Sequence, residues 1–197
     1  MAIMTIDFEA SCLPRHGRSY PIEVGIADMS GKSRSWLIRP HRSWDGWDWT
    51  EEAERLHGIS YSQLLRDGLP ANEVASSLCK ALIGHRVIAD SSIDNYWLQT
   101  LIAASRVSIP VKFEHIDKVL DELGATTQEI MESQLILARK GFRRHRAGED
   151  ARWMLALIEM LTKKSNQHTG SAEARDFQSS VHPDIHMHVS WGRAVTA

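Results

Sequence analysis

The sequence predicts an α/β fold, a mixed central sheet with an antiparallel three-strand meander and flanking helices. Three observations predict it. The first forty residues hold three strand-like segments joined by short connections, the first with period-two alternation. From Thr50 onward the apolar spacing changes to that of helices. Two short apolar runs, Val87-Ile88-Ala89 and one beginning at Phe113, interrupt those helices as strands. Strands first, then helices with strands between them, argue for helices packed on one mixed sheet. A chain of 197 residues suits a single domain able to bury its own core.

The elements follow in order. Met4, Ile6, Phe8 and Ala10 alternate with Thr5, Asp7 and Glu9, which is a strand with one apolar face. A loop with Pro14, Gly17 and Ser19 leads to a second strand over 22–27. Gly31-Lys32 turns the chain into a third over 35–38, and Pro40 ends it because proline cannot donate to the ladder. Thr50-Glu51-Glu52-Ala53 has an N-cap and early acids, a helix start. His57-Gly58-Ile59-Ser60 reads as a stop followed by a new cap. Pro70 opens a helix to about Ile83, striped by Val74, Leu78, Ala81 and Leu82. Ser91 or Ser92 caps a helix from about Ile93 to Ala104, with Leu98, Leu101 and Ile102 inward. A strand over 113–116 precedes helices near 117–123 and 126–139. The last strong helix starts near Gly148, where Asp150, Met154, Leu157 and Leu161 form one stripe. After Lys164 the composition turns to Ser, Asn, Gln, Gly and His. The expected organisation is a domain over 1–164 and a polar, His-containing tail over 165–197, poorly ordered or loosely docked.

Composition excludes several classes. Lys plus Arg total 23 against 25 Asp plus Glu, so net charge gives no sign of nucleic-acid binding, although a local basic patch or metal ions held by acids would still allow it. Cys12 and Cys79 are the two cysteines and form no CxxC, which excludes a disulfide scaffold and a cysteine-rich zinc site. No apolar run approaches the roughly 20 residues of a membrane span, and the N-terminus has no signal pattern. The expectation is a soluble, cytoplasmic protein with no membrane partner.

The acidic residues carry the chemistry. Asp7 and Glu9, two apart on a strand, point to one face about 7 Å apart. Carboxylates so placed repel unless something positive lies between them, and hard oxygen donors suit magnesium or manganese. Asp94 lies in the first turn of a helix, where acids also sit for the dipole alone. Asp90 and Asn95 are neighbours able to do the same job. His145 and Asp150 are five residues apart, about 500° along a helix, which leaves the side chains roughly 140° apart. They converge on one site only if His145 lies in a preceding loop and Asp150 on the first helical turn, and Gly148 allows such a transition. Glu149 is the rival carboxylate, about 100° away on the helix.

Taken in order, Ile6-Asp7-Phe8-Glu9-Ala10, Ala89-Asp90-Ser91-Ser92-Ile93-Asp94 with Leu98, and His145-Arg146-Ala147-Gly148-Glu149-Asp150-Ala151 resemble the DEDDh family of 3′–5′ exonucleases. His57-Gly58-Ile59-Ser60 is similar to that family's His-Gly-Ile-Thr segment. The resemblance covers about residues 1–163. It departs in the middle, where the family has His-Asn-Ala and then Phe-Asp.

The resemblance implies a ribonuclease H-like fold and a two-metal hydrolase. Asp7, Glu9, Asp94 and Asp150 would hold two divalent cations, magnesium or manganese, whose +4 balances four carboxylates. His145 would be the general base. The expected activity is removal of nucleoside 5′-monophosphates from the 3′ end of single-stranded DNA or RNA. The rival is a catalytically inactive nucleic-acid-binding or scaffold domain of the same fold. Homodimers and polymerase association both occur among relatives, so either partner is open.

The resemblance implies that Phe8 and Ala10 lie near the terminal nucleotide, although Phe8 on a strand suits the core better than a stacking platform, and Arg143, Arg144 and Arg146, beside His145, are expected to hold phosphates. Three tryptophans, Trp44, Trp47 and Trp49, favour packing over base stacking. His182, His186 and His188 resemble a metal-binding run in the tail and take no role.

Overall fold

In the computed structural model, which describes residues 1–172, five strands form one sheet in the order β3-β2-β1-β4-β5. The strands are β1 (Ala2–Ala10), β2 (Pro21–Asp28), β3 (Ser33–Leu37), β4 (His85–Ala89) and β5 (Phe113–His115). The first three make the antiparallel meander, and β4 and β5 add in parallel on the other side of β1. Parallel neighbours need long crossovers, and the helices supply them. The segment from α1 (Glu51–His57) through α2 (Tyr61–Asp67) and α3 (Ala71–Leu82) carries the chain from β3 to β4. The helix α4 (Ile93–Ser105) carries it on to β5, and α5 (Ile116–Glu122), α6 (Thr127–Ala138) and α7 (Ala147–Ala172) complete the fold.

Alternation on β1 divides the molecule into layers. Met4, Ile6, Phe8 and Ala10 enter a core shared with Val74, Leu78 and Leu82 of α3 and Trp97, Leu98 and Leu101 of α4. The opposite face of β1 meets α7, where the Thr5 hydroxyl donates to the Ala151 carbonyl at 2.7 Å. A second core joins Ile88 of β4 to Ile116 and Leu120 of α5, Leu137 of α6, and Met154, Leu157 and Leu161 of α7. Burying such a Leu or Ile side chain contributes about 1.5–3 kcal/mol.

Caps set the helix starts. Thr50 accepts from the Ala53 N–H and Ser60 from the Gln63 N–H, while Gly58, at φ 68°, ends α1 in the left-handed region. Thr126 and Glu129 form a reciprocal capping box on α6.

Some expectations shift. The strand expected over 113–116 ends at His115, and Ile116 begins α5. The largest inward residue of α4 is Trp97, 1% exposed, whose indole N–H donates to the Ser19 hydroxyl at 2.9 Å. The tryptophan run packs: Trp44 stacks on Tyr20 at 5.4 Å and Trp49 donates to Glu54 at 2.7 Å. The helix α7 runs past Lys164 to Ala172, into the segment expected as a tail. His182, His186 and His188 lie outside the described residues. No helix among the described residues is long and apolar enough to cross a membrane.

Candidate functional site

The site lies where the carboxyl ends of β1 and β4 meet the first turns of α4 and α7. Asp7 and Glu9 leave β1 on one face. In the parallel register Thr5 pairs with Ile88, so the chain leaving β4 passes beside Asp7. That places Asp90, and Asp94 on the first turn of α4, against it. Asp7, Asp90 and Asp94 each offer a carboxylate oxygen within 4.8 Å of the others. A second group, Glu9, His145 and Asp150, is equally close. Asp7, Glu9, Asp94 and Asp150 are buried, while Asp90 and His145 are partly exposed.

The convergence of His145 with Asp150 follows from where α7 begins. The helix starts at Ala147, so His145 stands in the turn before it and the 140° separation does not apply. The left-handed turn falls on His145 itself, φ 63°, rather than on Gly148, which lies inside the helix. The His145 N–H donates to Asp150 Oδ2 at 2.8 Å and closes that turn. Glu149, the rival carboxylate, pairs with Arg152 instead.

Two glycines let α7 sit this close to the sheet. A Cβ on Gly25 of β2 would stand 2.1 Å from the Ala147 carbonyl carbon, and one on Gly148 would stand 3.2 Å from the Ser35 Cβ. Backbone therefore packs on backbone at the point where α7 enters.

The donor set fits divalent cations. Hard carboxylate oxygens with a single imidazole suit magnesium or manganese, and carboxylates gathered in low dielectric repel unless protonated or bridged by positive charge. Asp7, Asp90 and Asp94 could share one ion, and Glu9, His145 and Asp150 form a separate group that could hold one.

Beside His145 and Glu9 opens a cavity of about 300 Å³, also lined by Ala10, Leu56, His57 and Trp97. The His57 ring is 2% exposed, and burial, aided by the neighbouring Arg146 and His145 against the pull of Glu23, pushes its pKa down to about 4. Its Nδ1 accepts the Ile59 N–H at 3.0 Å, so in the neutral ring the proton is on Nε2. Nε2 has no protein partner among the described residues.

The expected substrate contacts fare unevenly. Ala10 does line the cavity. Phe8 is corrected: its ring is 0% exposed in the core, because it alternates with Asp7 and Glu9, and it cannot stack on a base. Arg146 is also corrected. Its guanidinium grips Glu23 through two hydrogen bonds, of 3.0 and 2.7 Å, and is committed there. Arg144 pairs with Asp150 Oδ1 at 2.8 Å and lies over the Trp153 ring at 4.3 Å, so it already neutralises one site carboxylate. Arg143 is exposed and reaches toward Gly58, next to the cavity wall.

Sequence reasoning left Asp90 as an unchosen neighbour and missed Glu23 and Trp97. The signal for Glu23 was present, since a lone acid within the apolar strand Ile22-Glu23-Val24 is expected to be buried and paired.

Layers, strand order and crossovers together define a ribonuclease H-like domain. Among solved structures it is similar to exonuclease I from Methylocaldum szegediense, with a TM-score of 0.64 at 16% identity over 88% of this chain and 43% of that one. Escherichia coli exonuclease I in complex with a dA16 oligonucleotide gives a TM-score of 0.63 at 10% identity, over 86% of this chain and 43% of that one. A zinc-bound form of the E. coli enzyme with single-stranded DNA gives 0.59 at 10% identity, over 88% and 43%. This chain thus spans less than half of those proteins, and what they share at such identity is the fold. No protein-family model and no curated protein matches the sequence.

Proposed function

We propose that the protein is a metal-dependent 3′–5′ exonuclease that hydrolyses single-stranded nucleic acid to nucleoside 5′-monophosphates. The observation that carries this reading is the gathering of Asp7, Glu9, Asp94, His145 and Asp150, drawn from three distant segments, into two adjacent groups of donors within 4.8 Å. The fold it shares with exonuclease I, captured with dA16 and dT13 oligonucleotides, supports a single-stranded substrate.

In this reading Asp7, Glu9, Asp94 and Asp150 hold two divalent cations, magnesium or manganese. Bound there, such ions stabilise the attacking and leaving oxygens of a phosphodiester displacement. His145 would take the proton of the attacking water through an imidazole nitrogen, as a positioned general base. The terminal nucleoside occupies the cavity beside Glu9, where Ala10 and Leu56 offer apolar surface. Arg143 at the wall suits the backbone phosphates.

The test is digestion of 3′-labelled single-stranded DNA and RNA of matched sequence, with magnesium or manganese and with chelator. Stepwise release of labelled mononucleotide that chelator abolishes is the expected result. No release with either metal would leave a non-catalytic binding domain, and internal cuts would indicate a different nuclease.

A further inference from the structure

Glu23 is buried on β2, in register with Glu9 on β1, and its hydrogen bonds run to Arg146 and Ala147. Its Oε1 accepts Arg146 Nη2 at 2.7 Å. Its Oε2 accepts both Arg146 Nε at 3.0 Å and the Ala147 N–H at 3.1 Å. Three hydrogen bonds thus converge on two consecutive residues, the last before α7 and the first within it. His145 immediately precedes them with a φ of 63°, uncommon for a residue with a side chain. Its N–H is tied forward to Asp150, so the turn is anchored at both ends.

From this geometry, and resting on the exonuclease reading, we infer that Glu23 is a positioning residue of the site: by latching Arg146 and the Ala147 amide to the sheet, it sets where His145 and Asp150 stand against Glu9. The latch is charged because a guanidinium fork matches a carboxylate in two bonds and fixes orientation as well as distance. It also keeps Arg146 occupied. Glu23 and, more weakly, Glu9 hold the Arg146 guanidinium in its charged form. Without Glu23 the arginine would turn to Glu9 and compete with a cation for it.

The experiment uses the full chain and three variants, Glu23→Gln, Arg146→Ala and their double. Steady-state cleavage of a 3′-labelled single strand, calorimetric titration with Mn²⁺ alone and the melting temperature are compared. Glu23→Gln is expected to lower kcat and weaken Mn²⁺ binding by roughly 10- to 100-fold, the usual effect of removing a group that orients a metal ligand, with KM little changed. The double variant should be no worse in kcat than the worse single one. If Glu23→Gln does not fold, Arg146→Lys keeps the charge and loses the fork, and should still lower kcat. A lower melting temperature with wild-type kcat and Mn²⁺ affinity overturns the inference and leaves Glu23 a stability residue. A raised KM with unchanged kcat in Arg146→Ala overturns it in favour of a phosphate contact. A wild-type chain that neither cleaves nor binds Mn²⁺ overturns the exonuclease reading and this inference with it.

Discussion

Replacing Gly25 with alanine tests whether the approach of α7 to the sheet sets the site. The new Cβ would stand 2.1 Å from the Ala147 carbonyl carbon, 2.2 Å from the Gly148 nitrogen and 2.3 Å from the Ala147 oxygen. An ordinary carbon contact is about 3.5 Å or more, so the start of α7 must retreat by more than about 1 Å. All three atoms belong to backbone, which no rotamer change can move aside. Overpacking of this kind destabilises by about 1–3 kcal/mol, or roughly 2–12 °C for a chain of this size. The effect on the site should be larger, because His145 and Asp150 ride on the displaced segment while Glu9 stays on β1. A displacement of about 1 Å at a reacting centre costs on the order of 100-fold in rate. The assay is kcat on a 3′-labelled single strand at saturating Mn²⁺, with the melting temperature measured alongside. Gly31→Asn is the control: that turn has φ 77°, which asparagine tolerates, and open space around the new side chain. A Gly25→Ala protein with wild-type kcat would refute the claim that this approach distance matters.

Two further perturbations address the charges. Asp7→Asn removes one carboxylate charge from the group with Asp90 and Asp94 at nearly constant shape. Relief of that repulsion should raise the melting temperature of the metal-free protein, while on the exonuclease reading Mn²⁺-dependent cleavage is lost. Calorimetry in chelator checks the first part, and a lower melting temperature there would contradict it. For His57, the folded pKa of about 4 lies below the ordinary 6.5. The unfolded chain therefore binds more protons between those values, so stability is complete above pH 6.5 and falls as pH drops toward 4. The shift is equivalent to about 3 kcal/mol at 1.36 kcal/mol per unit. His57→Gln should flatten that part of the profile, and an unchanged slope in denaturant titrations at pH 4.5 and 7 would remove His57 as its source.

Much of the sheet was legible because alternation reports directly on burial. The meander over β1–β3 and the crossover helices carry periods that no tertiary contact needs to supply. Phe8 shows where that logic was stronger than resemblance: a residue between two outward acids on a strand must face the core. The same holds for Trp44 and Trp49, whose aromatic surface demanded packing.

Residue types and their order along the chain determined the acidic set, the need for His145 to stand outside the last helix, and the divalent cations that set invites. Only the tertiary structure decided which basic side chains remain available. Arg144 and Arg146 are indistinguishable from Arg143 in sequence, because Glu23 meets Arg146 through the way α7 lies across β2, and Asp150 meets Arg144 through the shape of the turn that enters α7. It likewise decided that Asp90 joins Asp7 and Asp94, since that depends on the register between two parallel strands about eighty residues apart in the chain. Local periodicity fixes which face a residue occupies, whereas the partner waiting on that face is set by long-range register and by how closely two backbones can approach.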